Sequence, residues 1–193
     1  MLPEYATPPE PAHAGALLLP IARAAISTAL GHPVQAAEEN AWLQETGACF
    51  VTLTHQEELR GCIGTLNAYR PLLDDLKANA VAAALHDPRF APLTRAELDP
   101  TVIEVSLLSP LQTLHFETEA EALAQLRPGE DGVVLEFEGY RSTFLPQVWE
   151  QLPTAPAFMA QLKRKAGLAP HFWAQGLQLQ RYTVRKWKET EVL

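Results

Sequence analysis

Cys62 stands between two glycines and two residues after an arginine, in the stretch Leu59-Arg60-Gly61-Cys62-Ile63-Gly64. Side chains alternate across an extended strand, so Arg60, Cys62 and Gly64 are expected on one face and Leu59, Gly61 and Ile63 on the other. Arg60 and Cys62 then project side by side, roughly 7 Å apart, because each residue rises ~3.3 Å. A neighbouring guanidinium favours thiolate over thiol, and the thiolate is the nucleophilic and metal-binding form. The planar fork of arginine also suits a substrate carboxylate or phosphate. Glycine inside a strand marks a bulge, or a place where a ligand or another backbone comes close. Gly61 and Gly64 are therefore expected to clear space near Cys62. The chemistry implied is an activated cysteine nucleophile beside an anion site. Cys62 and Arg60 are its catalytic candidates, and Arg60, Gly61 and Gly64 its substrate-binding candidates. The same residues allow a plainer reading, with Cys62 a small buried hydrophobe, since free cysteine is among the most buried residue types.

Three further clusters carry candidates. In His86-Asp87-Pro88-Arg89-Phe90, Asp87 is a candidate acid/base or orienting group and Arg89 a candidate anion contact. The alternative is a helix stop with a local Asp–Arg pair. In Thr101-Val102-Ile103-Glu104-Val105-Ser106, Glu104 and Ser106 lie on the face opposite Ile103 and Val105. A carboxylate in so apolar a strand is costly unless paired. Glu104 is expected to be partly buried against Arg60 or Arg89, and is the fourth catalytic candidate. In Leu145-Pro146-Gln147-Val148-Trp149, a proline-led turn presents Gln147 to a substrate or opens a helix. The six histidines are scattered. His86, beside Asp87, is the best situated of them for a general base. Cys49 lacks the flanking pattern of Cys62 and is read as structural.

The elements that must position these residues follow from periodicity. Residues 1–12 are proline-rich and read as an N-terminal tail, and residues 13–193 as a single domain. Apolar residues at three- and four-residue steps predict a helix from about His13 to Leu30, kinked or shortened by Pro20 and capped by Gly31. Residues 38–42 read as a loop or short helix. Phe50–Thr54 and Leu59–Ile63, around a short polar break, predict a β-hairpin with His55 in its turn. A helix is expected after Pro71, stopping before Asp87-Pro88, because the residue preceding proline avoids the helical region. A strand over 101–109, a short helix over 117–126 and two strands joined at Glu138-Gly139 follow. A helix over 157–166 ended by Gly167 comes next, then a single closing strand over 177–184. Strands joined by short loops with helices interspersed predict an α+β fold with a mainly antiparallel sheet and helices packed on it.

Composition narrows the function classes. A chain of 193 residues is long enough to bury a sizeable core. No apolar run approaches the ~20 residues of a membrane helix. The N-terminus has no basic leader region, and two cysteines fit a reducing cytoplasm rather than a disulfide framework. The net charge of −8 argues against a nucleic-acid binder, which needs a basic face. The basic residues Arg181, Arg185, Lys186 and Lys188 read as the solvated face of an edge strand. Glycine-rich phosphate motifs, paired-cysteine motifs and HExxH are absent, so no cofactor or metal is expected.

With these motifs in hand, the chain resembles the AMMECR-type domain family. The resemblance rests on LRGCIG (59–64), preceded by FVTL (50–53) and followed in order by DPRF (87–90), EVSLLS (104–109), LPQV (145–148) and KAGL (165–168). It covers residues from about His13 to Glu189. It implies an α+β fold whose larger and smaller subdomains enclose a cleft near the LRGCIG strand. It also implies a gene trio with a Memo-like protein and a radical S-adenosylmethionine enzyme as partners. Two functions stay open. One is an enzyme or enzyme component that uses Cys62 and Arg60 on a small anionic substrate, with Asp87 or Glu104 as acid/base. The other is a non-catalytic ligand-binding or adaptor module working with those partners.

Overall fold

The computed structural model describes residues 11–191. In chain order its elements are α1 (Pro11–Ala29), β1 (Thr46–His55), β2 (Glu58–Gly64), β3 (Arg70–Pro71), α2 (Leu72–Leu85), α3 (Arg95–Leu98), β4 (Thr101–Leu108), β5 (Gln112–Thr113), α4 (Glu119–Gln125), β6 (Gly132–Phe137), β7 (Tyr140–Phe144), α5 (Ala155–Lys165), β8 (Gln178–Tyr182) and β9 (Val184–Lys188), with short 3-10 turns between some of them. The fold is α+β: antiparallel pairings build the sheets and helices pack on them. The chain forms two compact units. The first runs to Leu108 and resumes at Arg185; the second is Ser109–Val184. Residues 1–10 of the expected tail lie outside the described residues, and Pro11 already opens α1.

The first unit holds a sheet of order β2-β1-β4-β9, with β3 paired to the start of β1. One face of this sheet is the core. Cys49, Val51 and Leu53 of β1 and Ile103 and Val105 of β4 are each fully buried there, with residues of α1 and α2 packed on them. Helix α1 is capped by Gly31, whose φ of 84° lets His32 N–H reach Ser27 O and Gly31 N–H reach Thr28 O. Pro20 does not shorten it: the helix runs on through Pro20 from Pro11 to Ala29. Pro20 and Ala16 are both exposed, so the carbonyl that Pro20 leaves without a partner is on the solvent side.

The hairpin forms as expected, through a tight turn in which Gln56 and Glu57 both take positive φ. Its register carries a bulge: Leu53 faces Gly61 but Thr54 faces Leu59, so Arg60 is the extra residue. Simple alternation is broken there, and Leu59 is 43% exposed although Gly61 is buried. Helix α2 lies directly on β2. A Cβ built at Gly61 would stand 2.1 Å from the Ala83 carbonyl oxygen. The small residues Ala80, Ala83 and Ala84 on the buried face of α2 let the helix come this close.

The second unit holds a sheet of order β5-β8-β6-β7. Val133, Val134 and Leu135 of β6 are buried, and Trp149 stacks on Phe158 of α5 at 3.9 Å between ring centroids. The single closing strand expected over 177–184 is in fact two, β8 and β9, in different sheets. The break falls at Thr183, whose amide and carbonyl bond to Ser109 rather than to a strand neighbour.

Replacement of Gly61 by alanine is expected to force α2 off β2 and to cost about 1–3 kcal/mol, as overpacking of a filled interior does. A urea unfolding midpoint for Gly61→Ala equal to that of the natural chain would show that the helix yields without cost.

Candidate functional site

Cys62 sits on β2, an edge strand, half-buried and on the sheet face opposite α2. Its cross-strand partner is Thr52, whose own partner on the far side is Glu104 of β4. Thr52 Oγ1 donates to Cys62 Sγ at 3.3 Å. Glu104 Oε1 stands 3.9 Å from Nζ of Lys186 on β9. Cys62, Thr52, Glu104 and Lys186 thus lie in a row across β2, β1, β4 and β9. The expectation that Glu104 pairs with Arg60 or Arg89 is corrected: β1 lies between β2 and β4, and β9 flanks β4 on its other side.

An edge strand leaves the N–H and C=O of alternate residues without a strand partner. At Cys62 both are met by side chains. Asp87 Oδ2 accepts the Cys62 amide at 2.9 Å, and Arg89 Nη2 donates to the Cys62 carbonyl at 3.2 Å. Arg89 also forks onto Asp87 at 2.9 and 2.7 Å, and its amide donates to Asp87 Oδ1. The Arg89 guanidinium and the amides of Cys62 and Arg89 hold the Asp87 carboxyl well below the usual carboxylate range. Asp87, almost fully buried, is therefore a fixed acceptor with its oxygens occupied. The turn that presents it depends on the expected helix stop: α2 ends at Leu85, and Pro88 follows.

The other candidates separate. Arg60 bonds through Nε and Nη2 to Glu97 of α3 at 3.2 and 3.4 Å, not to a group beside Cys62. The Thr94 amide and hydroxyl, with Arg60, draw the Glu97 carboxyl down to about 2. The spaces at the glycines are filled from within. The Ala83 carbonyl occupies that of Gly61, and the Phe50 ring that of Gly64, where a Cβ would meet it at 2.2 Å. Of the two readings of these glycines, a ligand or another backbone coming close, Gly61 shows the close backbone, and Gly64 admits an aromatic ring. His86 caps the end of α2 and is exposed. Gln147 is exposed on a 3-10 turn of the second unit, which seats Trp149 with its Nε1 donating to Asp131 O at 2.7 Å.

A second carboxylate device, which sequence reading missed, lies under the same hairpin. Asp75, fully buried on α2, accepts the Cys49 amide at 2.9 Å, the Thr65 hydroxyl at 2.7 Å and Arg70 Nε at 2.9 Å. Asn79, one turn on, donates to Cys49 O and to Asp75 Oδ2, both at 3.0 Å. Burial, reinforced by Asp75, pushes the Cys49 thiol far above its ordinary range. The structural reading of Cys49 agrees with this. The signal available in the sequence was Asp75 and Asn79, polar residues four apart on the face of α2 that also carries Leu72, Leu76 and Ala83. Among the described residues no group of three His, Cys, Asp or Glu side chains could hold a metal ion.

The motifs and this architecture together identify the family. The AMMECR1 family model matches residues 19–187. The chain belongs to the AMMECR1 family. It is 38% identical over 155 residues to protein MJ0810 of Methanocaldococcus jannaschii, covering 76% of this chain and 75% of that one. It is 33% identical over 196 residues to a protein of Thermofilum pendens, covering 93% and 91%. The crystal structure of uncharacterized protein PH0010 from Pyrococcus horikoshii matches with a TM-score of 0.76 and 31% identity over 91% of each chain. In this AMMECR1 chain no helix among the described residues is long and apolar enough to cross a membrane.

Asp87 gives this clamp a pH dependence. A carboxyl held below its unfolded value of about 3.9 contributes stability in full above that value, and the contribution disappears as pH falls through the depressed folded value. The urea midpoint is expected to begin falling as pH drops below about 5 and to go on falling toward the depressed folded value, and Asp87→Asn is expected to lower it at neutral pH while shrinking that fall. Amide exchange at Cys62 should quicken in the same variant. An acid transition unchanged by Asp87→Asn would show that the clamp contributes nothing to stability.

Proposed function

We propose that this AMMECR1 domain is a cysteine-dependent enzyme or enzyme component in which Cys62 is the reacting thiol and the substrate is a small anion. One observation carries the reading. Asp87 and Arg89 pin the main chain of Cys62 on both sides while leaving its Sγ on a partly open face. A reacting group gains from such fixing, because a held geometry lowers the entropic cost of attack. Of the arginines available for the substrate's anion, Arg89 supports the role better than Arg60. Its side chain is 54% exposed, against 16% for Arg60, and its guanidinium already reaches the Cys62 main chain. Glu104, half-exposed beyond Thr52, is the nearest of the sequence's acid/base candidates to a usable proton acceptor, since Asp87 is saturated.

A second reading is favoured by one specific observation: Arg60, Asp87 and the two glycine spaces are all engaged internally. In that reading the hairpin is a packed support, and the domain is a ligand-binding or adaptor module working with Memo-like and radical S-adenosylmethionine partners.

Thiol chemistry separates the two. The folded chain is expected to be alkylated at Cys62 and not at Cys49, with labelling abolished in Cys62→Ser. Iodoacetate should react faster relative to iodoacetamide than it does with a free thiol, and that advantage should fade in salt. A folded protein in which Cys62 stays unlabelled would leave the enzyme reading without its nucleophile.

A further inference from the structure

We propose that Thr52 is a positioning residue for the Cys62 thiol, its hydroxyl donating a hydrogen bond to Sγ in the reactive state; the inference rests on the reading of Cys62 as the reacting group. The pairing puts them together. Because the Cys62 amide and carbonyl turn outward to Asp87 and Arg89, Thr52 and Cys62 form a non-hydrogen-bonded pair across β1 and β2. In such pairs the side chains stand closest. Thr52 Oγ1 lies 3.3 Å from Sγ and donates to it. Threonine is stiff about χ1, so the hydroxyl is held rather than sampled. A sulfur that carries charge accepts more strongly than a neutral thiol, so the bond strengthens as the thiolate forms.

The neighbours single out Thr52. Thr54, two residues along the same strand face, turns its hydroxyl to the Val102 carbonyl at 3.4 Å. Glu104, opposite Thr52 on β4, lies toward Lys186. Strand preference alone explains a threonine here equally well at both positions, but only Thr52 meets the sulfur.

The test is iodoacetamide alkylation of Cys62 at neutral pH in the natural chain and in Thr52→Val, Thr52→Ala and Thr52→Ser. A hydroxyl bond favours the anionic sulfur but lowers its intrinsic nucleophilicity, so the net gain in rate expected is about three- to fourfold. Thr52→Val is expected to be slower by that factor and Thr52→Ser to keep the natural rate; Thr52→Ala carries the expectation of the valine variant should valine pack poorly. A Cys62 that labels equally fast with and without the hydroxyl overturns this inference and leaves the proposed function standing. Serine as slow as valine overturns it too, since the methyl group would then be what matters. An unlabelled Cys62 in the natural folded chain overturns both.

Discussion

A strand amide that points away from its neighbours in the sheet needs an acceptor, and in the first unit carboxylates supply it. Asp87 takes the amide of Cys62, Asp75 that of Cys49, and Glu189 that of Ile103. Each of these carboxylates is in turn held by an arginine: Arg89, Arg70 and Arg23. The arrangement answers a problem of desolvation. A buried carboxylate without a partner is costly, and so is a buried amide without an acceptor. Placed together with a guanidinium, each satisfies another. In the second unit a carboxylate and an arginine pair in a similar way at a turn, where Asp131 accepts the Arg127 amide at 2.9 Å and its guanidinium at 2.6 Å.

Two of the three strand caps depend on α2. Asp75 is in its first turn, and Asp87 follows its last. The helix therefore has to lie in one position relative to the hairpin, close enough for both carboxylates to reach. Gly61 permits that closeness, since the Ala83 carbonyl occupies the place of a side chain. The glycine, the alanine-rich face of α2 and the two aspartates form one constraint. Loosening the packing lengthens the hydrogen bonds, and losing the hydrogen bonds frees the edge strand.

Much of the fold was legible because it rests on local signals. The hairpin, the stop of α2 before Asp87-Pro88 and the cap at Gly31 depend on neighbours in sequence. What failed depends on distant ones. Arg60 was expected beside Cys62 because alternation was carried through the strand, but the bulge between Leu53 and Thr54 is set by pairing with β1. Glu104 was assigned an arginine because strand order is invisible in one chain; its neighbour is Lys186, 82 positions later, since β9 joins the sheet beside β4. The buried Lys163, 2.5 Å from Glu119 and facing the Trp173 ring, was missed for the same reason. Its helix position marks it as inward, but its partner comes from another element.

The two cysteines show what the constraint does for chemistry. They lie on adjacent strands, each with its amide on a carboxylate and its carbonyl on a side-chain donor. The difference is the face. Cys49 points into the core, where burial and Asp75 keep its proton on sulfur. Cys62 points the other way, toward a hydroxyl and a partly open surface. The same main-chain fixing that makes Cys49 inert holds Cys62 in one orientation. A residue so held loses little freedom when a substrate arrives, and that is an advantage only on the face a substrate can reach.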